Sequence, residues 1–288
     1  MRAHASQRAF LGISALLFAS SAAVTTVWCS SMSGGMEMPG DWTMSMAWMR
    51  MPGQTWAGAA TSFLGMWIVM MVAMMLPSLV PMLWRYRQAI GTTSATHVGR
   101  LTALVGIAYF LVWTAFGVAA FPLGVALSAM EMEHAELARA VPMAVGVIVL
   151  LAGALQFTAW KARHLACCRK EPQSHCALPA KPPGEFLQEK QEKELKKFFS
   201  PEVDQRRANA RMAWRHGLRL GLHCSYCCAG LTAILLVIGV MDLRAMAAVT
   251  IAITVERLAP AGERVARGLG VVLVGLGLFL IARATGVG

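Results

Sequence analysis

Along most of the chain, polar and apolar positions do not alternate with the 3.6-residue period of an amphipathic helix. Instead the apolar residues collect in blocks at 10–27, 61–83, 101–127, 141–160, 218–240, 245–255 and 268–281. A block of about 20 residues that is apolar on every face has the length of a membrane crossing. The pattern predicts an all-α fold, a polytopic transmembrane helix bundle of about seven spans. The number falls to six if the first is cleaved or the sixth is re-entrant. The first block exceeds a signal-peptide core of about 7–15 residues, so an uncleaved anchor is the preferred reading. The sixth offers few uncharged residues before Glu256 and Arg257 and is short for a full crossing. Pro77 and Pro81 each remove a backbone donor near the end of the second span and are expected to bend it. Gly270, Gly275 and Gly277 in the last span predict close helix contact.

The blocks divide the chain into 1–29, a signal anchor or first span; 30–59, a Met-rich outer loop; 60–168, spans two to four; 169–217, a basic cytosolic loop; and 218–288, spans five to seven. A charged connection at 128–140 joins spans three and four, and a charged run at 185–197 predicts a short exposed helix within the basic loop. Composition agrees with a membrane protein: 57% of the 288 residues are hydrophobic and 14% charged. The net charge of +11 therefore reports topology rather than a nucleic-acid partner. With the N-terminus inside, all but Arg50, Arg139, Arg244 and Arg283 of the 26 Lys and Arg fall on inner segments. That asymmetry predicts a multi-pass membrane protein whose N-terminus, if uncleaved, is cytosolic.

Sulfur then changes the picture. Cys224, Cys227 and Cys228 stand at i, i+3 and i+4 beside His223, so three thiols leave one face of one helical turn. His164, Cys167 and Cys168 repeat the spacing at the end of the fourth span, and His175 and Cys176 add two further donors in the loop. Cysteine is also a small hydrophobe that packs well, but three in five residues with a histidine alongside fit a soft-metal or redox site. Seven cysteines, four of them in adjacent pairs, do not suit a secreted disulfide scaffold. Met66, Met70, Met71, Met74 and Met75 cover about half of the second span, after a loop rich in methionine and anchored by Trp42, Trp48 and Trp56. Such methionines can be packing or thioether ligands.

The pieces MWIVMMVAMMLP (66–77), QFTAWKARHLACCR (156–169) and GLHCSYCCAGLTAILLVIGVMDLRAM (221–246), followed by Glu256 and Arg257, resemble a bacterial domain-of-unknown-function family described as predicted metal-binding integral membrane proteins. The resemblance covers roughly 61–260 and implies a multi-span inner-membrane protein with a metal role. The chain departs from the family pattern at Ala159, where proline is usual, and at His164, where a cysteine follows the lysine matching Lys161.

Thioether on an oxidising side and thiol on a reducing side suit Cu(I) better than zinc, and the spans scarcely offer the oxygen donors of magnesium or calcium. The leading expectation is a non-enzymatic protein that binds Cu(I) for transfer or homeostasis, working in the lipid bilayer with a metal chaperone or another membrane protein. Cys224, Cys227 and Cys228 are the expected primary metal ligands; His223, His164, Cys167 and Cys168 are secondary, with Met70, Met71, Met74 and Met75 as a relay. The two cysteine turns are expected to meet at the inner end of the bundle. Two alternatives stay open: a thiol–disulfide oxidoreductase using Cys224 and Cys227, and an assembly subunit whose basic loop meets lipid or a partner. No phosphate-binding glycine loop or recognisable nucleophile motif appears.

Overall fold

The computed structural model describes residues 2–31, 35–39, 42–90, 94–169 and 201–286. Among these, eight helices carry the fold: α1 (Arg2–Ser31), α2 (Trp56–Ile90), α3 (Ala95–Glu133), α4 (Ala135–Leu155), α5 (Ala159–Arg169), α6 (Pro201–Ile238), α7 (Leu243–Leu258) and α8 (Gly262–Ala284). Six contain segments long and apolar enough to cross a membrane, namely Ser6–Ser31, Trp56–Ile90, Ala95–Glu133, Ala135–Leu155, Asn209–Ile238 and Gly262–Ala284. The expected all-α bundle is therefore present with six such segments. Helix α7, at 16 residues, is the short one. The histidine and cysteine at 175–176 and the charged run at 185–197 lie outside the described residues.

Local chemistry sets the breaks. The side chain of Thr55 accepts a hydrogen bond from the Gly58 N–H at the start of α2. Helix α2 then continues through Pro77 and Pro81 to Ile90. Only His134 separates α3 from α4, so the charged connection expected at 128–140 is mostly helix, with Glu136 and Arg139 paired on its surface at 3.0 Å. The fourth span ends earlier than expected, at Leu155, and Thr158 accepts from the Lys161 N–H to start α5. Gly239 stops α6 with φ of 134°, and Asp242 accepts from the N–H groups of Arg244 and Ala245 to begin α7.

Close packing follows from small residues. Gly217 and Gly221, one helical turn apart on α6, leave room for α3: a Cβ on the first would collide with Val105 and Ala108, and on the second with Tyr109 and Val112. The two helices thus run in parallel, and the spacing delivers Cys224 to Tyr109. Helices α4 and α8 pack antiparallel, Gly146 against Ile281, Gly153 against Val274 and Gly277 against Leu150. Gly270 packs on Gln156 and Phe157, whereas Gly275 faces open space, so two of the three expected contact glycines make the contact.

The Met-rich segment is not wholly irregular. Met36–Met38 pairs antiparallel with Trp42–Met44 to form a small hairpin, β1 and β2. Its Trp42 indole donates to the Ala138 carbonyl at 2.9 Å, and Trp48 fills the notch at Gly124 of α3 while its ring lies 5.1 Å from that of Phe63. These contacts define a hairpin end of the bundle. Arg85 and Arg87 near the C-terminal end of α2, with Lys161 and Arg163 on α5, mark the opposite end.

Candidate metal centre

Helix α6 turns all three of its cysteines inward: Cys224 is 0% exposed, Cys227 2% and Cys228 1%. Their sulfurs lie within 4.8 Å of one another, with Cys227–Cys228 at 3.5 Å and Cys224–Cys228 at 3.9 Å. No other group of three or more His, Cys, Asp or Glu ligand atoms converges in this way among the described residues. Cys168 arrives from α5, its sulfur 3.9 Å from that of Cys227. The structure therefore brings the two cysteine turns together. Sulfurs so spaced can share one ion with metal–sulfur bonds of about 2.3 Å. The four thiols are free, whereas Cys167 is disulfide-bonded and offers no thiolate ligand in that state.

Around the sulfurs lies a shell of polar groups. The Tyr109 hydroxyl donates to the Cys224 sulfur at 2.9 Å, and the Arg257 guanidinium donates to it at 3.1 Å. Arg257 also donates to the Ser78 hydroxyl at 2.8 Å and to the Met82 sulfur at 2.9 Å, which ties α7 to α2. Lys161 of α5 donates to the Cys227 carbonyl and pairs with Glu256 at 2.7 Å; both side chains are buried. Burial alone would lower the Lys161 pKa, but the Glu256 carboxylate and the nearby thiols hold it above its ordinary value. The contact with Cys227, with burial added, pushes the Cys168 thiol well up.

This shell explains why α7 is short. Its last turn carries Glu256 and Arg257 into the bundle interior, at 1% and 3% exposure, to meet partners on α2, α5 and α6. Glu256 Oε1 and Arg257 Nε still lack a hydrogen-bond partner, so the pocket holds polar capacity that the protein alone does not satisfy. Tyr109, Lys161, Glu256 and Arg257 were not among the expected ligands. Their signal in the sequence is charge: ionisable residues at the end of an apolar stretch mark function when the stretch is in a membrane. Tyr109 has no such signal and is found only by the helix contact at Gly221.

The histidines form a separate unit. His164 and His223 approach at 3.1 Å between their Nδ1 atoms and pack with Tyr226 and Trp160 on the half-exposed side of α5 and α6. Burial, then the adjacent His223, lower the His164 pKa. The imidazole is neutral near pH 7 and has a lone pair to offer.

The methionines of α2 face inward. Met66, Met70, Met71, Met74 and Met75 are buried at 0–4% exposure in the same core as Cys168, Cys224, Cys227 and Cys228. Residues 64–280 match the model of a protein family, PpoB2, described as copper chaperone. No curated protein and no solved structure matches the chain.

Proposed function

The chain belongs to the PpoB2 copper chaperone family, and from that premise we propose that it carries Cu(I) on Cys224, Cys227 and Cys228 and passes it on by exchange between neighbouring sulfurs. The observation behind the reading is the convergence of the three buried thiols beside a fourth, Cys168. Cu(I) is the cargo, and thiolates are its preferred donors. A Cu(I) ion held by two thiolates carries one net negative charge. The buried Arg257 guanidinium at Cys224 offsets it, while Lys161 and Glu256 neutralise each other. The remaining sulfurs stay protonated until the ion moves. A third sulfur within reach lets the ion change partners through a three-coordinate arrangement without being released.

Cys168 extends the sulfur set toward α5, and His164 with His223 provides a half-exposed pair at which the ion can meet a partner. The buried methionines Met70, Met71, Met74 and Met75 supply a thioether path from the other direction. Positive-inside asymmetry supports an orientation in a bacterial inner membrane with the hairpin end outside and the His pair on the cytosolic side. Full burial of the cysteines speaks against thiol–disulfide exchange with a protein substrate, which needs an accessible sulfur.

Copper bound per chain, measured on protein purified from copper-supplemented cells, tests the reading. Cys224→Ser together with Cys227→Ser removes the bound ion. Unchanged copper content in that variant excludes the triad.

A further inference from the structure

Helix α1 has few buried side chains, and none of those described is a hydrocarbon one. Its buried side chains, among those described, are Ser21, Thr25 and Cys29, spaced four residues apart on one face. Cys29 is 3% exposed, and its sulfur lies 3.9 Å from the thioether sulfur of Met241 in the turn between α6 and α7. One helical turn before it, Thr25 is 7% exposed and its hydroxyl has no hydrogen-bond partner. A span that needed only packing would place Leu or Val there. A thiol and a thioether at this distance are a soft donor pair, with an unsatisfied hydroxyl one helical turn away.

We propose that Cys29 and Met241 form a second Cu(I) site at the hairpin end of the bundle, separate from the cysteine triad. Two sulfurs 3.9 Å apart can both bond to one ion at about 2.3 Å, with an angle between them of roughly 115° and room for a third donor. Cys29 brings the one thiolate, Met241 a neutral donor that needs no deprotonation, and Thr25 an oxygen or hydrogen bond on the same face. The site is distant from the triad: Cys228 and Ile238 are ten residues apart on α6, about 15 Å of helix. The antiparallel register of α1 and α2, set by Phe10 on Trp84 and by Arg87 donating to Ser6, brings Cys29 about level with Met66. Cys29 shares the buried core with Met66, Met70 and Met74. The pair is thus one terminus of the thioether path, and the triad the other.

The inference rests on the reading of the triad as a Cu(I) carrier, and the variants separate the two. Full-length protein in detergent is titrated anaerobically with Cu(I) buffered by bathocuproine disulfonate, and stoichiometry and affinity are read for wild type, Cys29→Ser, Met241→Leu and the triple variant Cys224→Ser, Cys227→Ser, Cys228→Ser. Cys29→Ser removes one ion per chain, and Met241→Leu weakens the same ion by about tenfold or more, as loss of a supporting donor does. Alkylation of Cys29 in the triple variant is slowed by added Cu(I). Wild-type binding by both Cys29→Ser and Met241→Leu, with the triple variant deficient, overturns the second site and leaves the triad intact. The reverse pattern keeps the second site and removes the triad. Because Met241 lies in a turn, its variant reports on binding even if Cys29→Ser disturbs the packing of α1.

Discussion

Two segments of the chain carry nearly the same spacing and meet different fates. His164, Cys167 and Cys168 on α5 and Cys224, Cys227 and Cys228 on α6 both run i, i+3, i+4. On α6 the whole face is turned into the bundle, against Tyr109 and Arg257, and the three sulfurs converge. On α5 only Cys168 reaches that pocket; Cys167 is disulfide-bonded, and His164 turns to His223. Spacing determines which side chains share a helix face, but helix packing determines what the face meets. The close approach at Gly217 and Gly221 seats α6 against α3, whereas α5 is an 11-residue helix that touches the pocket with one edge.

The largest test of this contrast strikes the ion pair that fastens α5 to the pocket. Lys161→Met leaves Glu256 buried without a counter-charge, a defect worth about 3–5 kcal/mol. Thermal unfolding in detergent is expected to show a marked fall in stability, and Lys161→Met combined with Glu256→Leu recovers most of it. A double variant no more stable than the single one would mean that the pair does not act as a unit.

An intermediate effect separates the donors of α5. Cys168→Ser lowers Cu(I) affinity by about 10–100-fold, the scale expected for a supporting group at a metal site. Cys167→Ser and His164→Ala leave the triad's affinity within a few-fold of wild type. Competition with a Cu(I) chelator reads all three, and equal losses at His164 and Cys168 would dissolve the division between thiols and imidazoles. The smallest effect belongs to α3: Tyr109→Phe deletes one hydrogen bond to Cys224, about 1 kcal/mol or roughly a fivefold loss in affinity. No change in the same competition assay would assign Tyr109 to packing alone.

The sequence already carried the bundle, the spacing of the cysteine triad and the methionine stripe of α2, because length, hydropathy and local spacing are properties of single segments; the direction the stripe faces comes from the packing. Met70, Met71, Met74 and Met75 are buried beside the thiols, where a stripe turned to lipid would have left the cysteines isolated. What spacing could not show is which residues meet across helices. Arg257 lies 33 residues from Cys224, and Tyr109 lies 115 from it. The Glu256–Arg257 doublet looked like the end of a truncated span, yet both charges go inward because partners on three other helices await them. Cys29 follows Trp28 at the end of the first apolar block, where nothing in the sequence gives it a partner, and only the turn at Met241 brings a second sulfur to it.

The pairing of Lys161 with Glu256 also has a bearing on biogenesis. The lysine leaves the ribosome 95 residues ahead of its counter-ion. During that interval an ammonium group must wait at the membrane boundary, and α7, too short and too polar at its tip to insert by hydrophobicity alone, can settle only against helices that are already there. Helix α7 is therefore a lock added late in synthesis: until Glu256 arrives, the ammonium of Lys161 has no counter-charge at its buried site.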